Sequence, residues 1–197
     1  MPSPQAKNTS EPVIGLGNIN ANLRVYIENT PPLPQYQNLT LVSPMHNGEI
    51  QQIGQLTGNH WRKIFNVFAK LLFEYNPESF VTWQNLRDES LLQKKSNACL
   101  LFSGVTFEEI KLKDVHFTES KMLTIIMGKT YANKLGIDKH CYWLSESFAI
   151  NTTKNIIICP YFDYRQLSNI KITQLVQLIK QLEANLEYTR LERKICD

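Results

Sequence analysis

At 197 residues, 43% apolar and 20% charged, the chain has ordinary globular composition, which excludes a disordered polypeptide and one that needs disulfide or metal staples to fold. A single domain of this length buries roughly 70% of the surface its unfolded chain exposes. The net charge of +3 excludes a concentrated cationic footprint that would by itself announce nucleic-acid binding, while leaving room for an anionic ligand.

The opening MPSPQAKNTSEP has no basic-then-apolar leader and no later run approaches a membrane span, so the expected location is cytoplasmic, with no membrane partner. Sequons at Asn8, Asn38 and Asn151 are discounted on the same ground. Cys99, Cys141, Cys159 and Cys196 stand far apart with no Cys-x-x-Cys pair, and the expectation is no metal and no cofactor. Residues 1–20 read as a polar, flexible N-terminal segment and residues 21–197 as a single α/β domain.

In chain order, Gly15-Leu16-Gly17 is half of a dinucleotide-binding fingerprint, lacking a third glycine and a clear preceding strand. Residues 23–27, LRVYI, alternate as a strand. Pro31, Pro32 and Pro34 then exclude helix and predict an extended loop just past the strand's carboxyl end, where open α/β sheets bind ligands. Glu28 and Asn29 open that loop, placed to position a water or substrate, or to form the turn ahead of the prolines. A long irregular stretch follows, with a short strand at 39–42.

Trp61, Ile64, Phe65, Phe68, Leu71, Leu72 and Tyr75 recur at helical spacing and predict a helix closed by Pro77. Across it Arg62, Asn66 and Lys70 form a polar row, a phosphate-facing surface or simply a solvated face. A weaker helix is predicted near 81–93, a buried strand at 97–102, and a helical turn at the Thr106-x-x-Glu109 capping box. Residues 122–127, MLTIIM, are another strand, followed by Gly128-Lys129-Thr130 and a short helix at 131–135. The triplet is similar to the end of a P-loop, but Leu123 stands where the earlier glycine belongs. Lys129 at a helix start can still attract one phosphate.

Short extended pieces at 141–143 and 148–150 precede a strand at 155–159 and a last helix at about 171–193. Strands alternating with helices predict an α/β domain with a mostly parallel central sheet of about four strands and helices on both faces. The densest chemistry lies in Pro160-Tyr-Phe-Asp-Tyr-Arg-Gln-Leu-Ser-Asn169. Tyr161, Phe162 and Tyr164 are placed to stack on a base, and Arg165 and Gln166 to contact phosphate or base edges. Asp163 is placed to orient Arg165 or act as a base. The alternative is that Asp163 and Arg165 pair to hold the turn while the aromatics cap the sheet. His46, His60, His116 and His140 have no ligand spacing and read as satisfied polar residues.

YIENTPP with NHWRKIF, TIIMGKTYANKLG and IICPYFDYRQLS follow one another in an order that resembles the uracil-DNA glycosylase superfamily. The resemblance implies a parallel sheet with a water-positioning acidic or Asn residue after its first strand, matched by Asn29, and a His-Pro-Ser type loop after its last. Cys159, Pro160 and Tyr161 occupy that loop, so the family's late histidine is missing. YFDYRQLSN also resembles a segment of an uncharacterised bacterial family. Two readings result: a divergent glycosylase-like domain recognising a nucleobase, nucleotide or DNA, with Asn29 and Asp163 as its catalytic candidates, and a non-enzymatic module that binds a protein partner.

Overall fold

A computed structural model describes residues 12–102, 104, 105, 107, 110 and 122–196, with side chains as far as residue 186. Thr106 and Glu109 of the capping box lie outside the described residues, as do residues 1–11 of the polar N-terminal segment.

The strands are β1 Gly15–Gly17, β2 Leu23–Tyr26, β3 Val42–Ser43, β4 Ala98–Leu101, β5 Leu123–Met127, β6 Tyr142–Trp143, β7 Ala149–Asn151 and β8 Ile156–Cys159. The helices are α1 Pro34–Gln37, α2 Glu49–Thr57, α3 Asn59–Tyr75, α4 Trp83–Glu89, α5 Lys129–Lys134 and α6 Asn169–Cys196. One sheet has the order β3-β1-β4-β2-β5-β8-β7-β6.

The four strands expected, β2 from alternation and the others from apolar runs, are its centre, β4-β2-β5-β8, all parallel. The sheet is nevertheless eight strands wide among the described residues, rather than about four, and mixed rather than mostly parallel. β1 runs antiparallel to β4, and β8-β7-β6 form an antiparallel meander. The added strands are two or three residues long, too short to show a period of two.

Gly15-Leu16-Gly17 is therefore strand β1, upstream of residue 21 where the sequence reading begins the domain. Its glycines answer to the closeness of β4. A Cβ on Gly15 would lie 2.2 Å from the Leu100 carbonyl oxygen, and one on Gly17, at φ +111°, 2.8 Å from that of Ala98. Two helices also stand where none was predicted. Pro34 opens α1 from its first position, where a missing N–H costs nothing. α2, EIQQIGQLT, buries only Ile50 and Ile53 among glutamines.

The central strands are covered on both faces. Val25, Ile27, Leu100, Ile125 and Ile157 pack under α2, α3, α4 and α6, while Tyr26, Leu101, Ile126 and Ile158 pack with Tyr131 and Ala132 of α5. α3 is the principal element of the larger layer, with Trp61, Ile64, Phe65, Phe68 and Leu71 buried. Its polar row serves packing: Arg87 Nη1 of α4 donates to Asn66 Oδ1 at 2.7 Å, and Lys70 Nζ lies 5.3 Å over the Trp83 ring. Thr82 caps α4 by accepting from the Asn85 amide at 3.2 Å.

Gly15→Ala is expected to lose about 1–3 kcal/mol of stability in urea unfolding, because a methyl there meets backbone that cannot retreat. Gly54→Ala in α2, where the added carbon would lie 3.5 Å from the Arg62 side chain, is expected to gain about 0.4–1 kcal/mol. Equal effects of the two substitutions would contradict the close approach of β1 to β4.

Candidate functional site at the carboxyl ends of the central strands

β2 has β4 on one side and β5 on the other. The first central strand is thus flanked by the second and the third, and the order of the parallel strands reverses at β2 and β5. Such a reversal parts the loops beyond the carboxyl ends and leaves a crevice. Glu28 and Asn29 leave β2 there, Gly128 and Lys129 leave β5, and residues 160–166 leave β8. The Gly128 amide donates to the Cys159 carbonyl at 2.8 Å and ties the second loop to the third.

The loop after β8 is pinned from below. Phe162 is fully buried and meets Phe68 of α3 edge-on, with ring centroids 5.5 Å apart, and Leu167 is buried beside it. This corrects the expectation that Phe162 stacks on a base: an aromatic without a polar tip goes to the core, and no face of it is left for a ligand. Tyr164, by contrast, is 53% exposed.

Asp163 organises the turn. Its carbonyl accepts from the Gln166 and Leu167 amides at 2.8 Å. Its Oδ1 accepts from the Arg165 amide at 2.9 Å and its Oδ2 from Lys63 Nζ at 3.0 Å. The Arg165 amide, followed by Lys63, holds the carboxyl below its usual range. A carboxylate stabilised in this way is a weak proton acceptor at neutral pH, so its surroundings favour positioning over general-base work. The Arg165 guanidinium adds a smaller pull on it as a nearby charge; it lies 5.9 Å from the Tyr164 ring, and Lys63 Nζ lies 4.9 Å from the same ring. The Gln166 side chain is exposed.

Tyr161 is half-buried and joins three distant parts of the chain. Asn29 Nδ2 donates to its hydroxyl at 3.4 Å, and the hydroxyl lies 3.0 Å from His60 Nε2 at the start of α3. The His60 and Tyr161 rings stack at 5.7 Å and 27°. Burial raises the Tyr161 phenol above its ordinary value, so it keeps its proton and donates to a neutral imidazole at Nε2, while an imidazolium there would donate to it. Beside this group Glu28 pairs with Lys134 of α5.

Of the residues singled out from sequence, Asn29 and Tyr161 touch, with Asp163 in the same loop as Tyr161 and Glu28 beside Asn29. Lys129 is directed elsewhere, its Nζ 4.5 Å over the Trp143 ring of β6. His60, Lys63 and Lys134 were not singled out. His60 and Lys63 are three residues apart and so share one helix face, a spacing the sequence does carry.

The Cys159 thiol is buried and pushed well up, and Cys99 is pushed up to about 12, both by burial, which leaves neither as a thiolate nucleophile. Among the described residues no three His, Cys, Asp or Glu side chains gather as a metal site, and no helix is long and apolar enough to cross a membrane.

The model of a family of unknown function, DUF6942, matches residues 14–180. The chain belongs to DUF6942. The DUF6942 match spans β1, His60 and Lys63 of α3, and the loops carrying Asn29 and Tyr161. It agrees with the resemblance of YFDYRQLSN to an uncharacterised family and brings no glycosylase with it. No curated protein and no solved structure matches the chain.

The depressed carboxyl of Asp163 stabilises this DUF6942 fold above the unfolded value of about 3.9, and that contribution is lost as pH falls through the folded value. The stability gap between the wild type and Asp163→Asn, measured by urea unfolding, is expected to be open at neutral pH and to close as pH falls below the unfolded value of about 3.9. A gap constant across that range would contradict the assigned partners.

Proposed function

We propose that the crevice between the Glu28–Pro34 and Tyr161–Gln166 loops recognises a nucleobase carried on a nucleotide or on single-stranded nucleic acid. The observation that carries this reading is the convergence of Asn29, His60 and Tyr161 at the strand-order reversal, from segments far apart in sequence. The Asn29 amide offers a donor and an acceptor to a base edge. The paired His60 and Tyr161 rings offer a stacking surface. At the rim, Lys63 and Arg165 flank the exposed Tyr164 ring, a combination suited to phosphate beside a base.

The likeness to uracil-DNA glycosylases adds a chemistry to this reading. Asn29 follows the first central strand, where the superfamily positions its water. The late histidine is missing, but the imidazole of His60 reaches the Tyr161 hydroxyl from α3 instead. In a glycosidic cleavage Asn29 would orient the attacking water and a protonated His60 would stabilise negative charge on the departing base.

A fluorescent single strand and a duplex, each with and without uracil, titrated across a salt series, test the reading. Salt-sensitive binding is expected, with Tyr161→Ala and Tyr164→Ala each weaker by about 1–3 kcal/mol. A base-release assay on the bound species then decides between recognition and cleavage. Absence of binding at low salt, or binding unchanged in the double variant, would overturn the proposal.

A second reading, a non-enzymatic protein-interaction module, is favoured by one observation: Tyr164 and Ile170 are 53% and 75% exposed around Arg165, a composition enriched at interfaces. It requires partner binding that survives Asn29→Ala and is lost when Tyr164 and Arg165 are replaced.

A further inference from the structure

The opposite end of the sheet holds a second concavity. Leu23, Ala98 and Leu123, the first residues of β2, β4 and β5, floor a cavity of about 220 Å³. Its walls come from Leu71, Leu72 and Tyr75 of α3, Phe80, Leu91, and Ile179 and Glu183 of α6. The sheet separates it from the crevice at Tyr161, so it is independent of the function proposed above.

Two features define what fits. An apolar cavity of about 150 Å³ accepts benzene, so this one takes one ring with a short substituent. Glu183 is the one charged side chain among the described residues that line it. Both of its carboxylate oxygens lie 2.8 Å from the Tyr75 hydroxyl, which holds the carboxylate at the pocket wall. The remaining polar lining, including Asn76, Ser79 and Ser90, is neutral. Lys180 lies 5.9 Å from the Tyr75 ring but does not line the cavity. An apolar chamber with a single fixed anion selects a cation with an apolar body, and the Tyr75 and Phe80 rings add attraction for such a cation.

We propose that this cavity is a binding site for a small primary amine with a single aromatic or branched aliphatic body, its ammonium held by Glu183 and its body between α3, α6 and the amino ends of the central strands. Uniformly ¹⁵N-labelled full-length protein titrated with 2-phenylethylamine tests this, with phenylacetate and ethylbenzene as the anionic and neutral probes. Saturable amide shifts are expected at Leu71, Tyr75, Phe80 and Leu123 with the amine, and at least tenfold weaker binding of the two other probes. Glu183→Gln, which keeps an acceptor for Tyr75, is expected to weaken the amine at least tenfold. Leu72→Trp, which fills the chamber, is expected to abolish its shifts, while Tyr161→Phe at the far end leaves them unchanged. No saturable shift with the amine, equal binding of the three probes, or amine binding indifferent to Glu183→Gln would each overturn the proposal; should Leu72→Trp fail to fold, the probe series and Glu183→Gln decide alone.

Discussion

Val25 and Ile27 face one layer of helices and Tyr26 faces the other, and β4, β5 and β8 are likewise buried along their whole length. A strand buried on both sides must have every backbone group paired within the sheet and every side chain packed, so parallel neighbours and helical crossovers follow together. The chain leaves β2, crosses through α1 to α4 to β4, and returns beyond β2 to β5. That return creates the reversal at β2 and β5, beyond whose carboxyl ends Asn29 and Tyr161 meet. The site is thus a consequence of how two-sided burial was satisfied.

α3 couples core and crevice. Its inner face supplies Phe68, against which Phe162 is fixed, and its first turns supply His60 and Lys63 to Tyr161 and Asp163. Because the same helix anchors the loop from below and contacts it from above, the positions of Tyr161 and Asp163 are set by core packing rather than by loop conformation alone. At the other end Tyr75 of α3 and Glu183 of α6 meet at the wall of the chamber. One helix therefore borders both the Tyr161 cluster and the chamber, with the sheet's length between them.

Three of the central strands are legible because two-sided burial writes itself as runs such as LTIIM and IIIC, and β2 is legible from the alternation of Leu23, Val25 and Ile27. Of the outer strands, β3, β6 and β7 show only as short extended pieces, since two or three residues carry no period, and β1 is hidden because Gly15 and Gly17 acquire meaning only from the β4 backbone against which they lie. α2 was hidden because two buried isoleucines among glutamines leave little contrast between its faces. Asn29 and Tyr161 could be chosen from their places after strands, a rule that needs no tertiary knowledge. Lys63 and Asp163 lie far apart in sequence, and no local spacing reports such a pairing. The error over Phe162 was avoidable: among Tyr161, Phe162 and Tyr164 it alone lacks a hydroxyl to bring to the surface.

Whether Asn29, His60 and Tyr161 form one ligand crevice, as proposed, is reported by the histidine ring signals. During an NMR titration of the protein with deoxyuridine monophosphate, the His60 ring resonances are expected to shift saturably. His46, exposed ahead of α2, is expected to stay in place, and the His60 response should be lost in Asn29→Ala. If His60 does not move, or if both histidines move alike, Asn29, His60 and Tyr161 do not form a nucleotide-binding crevice.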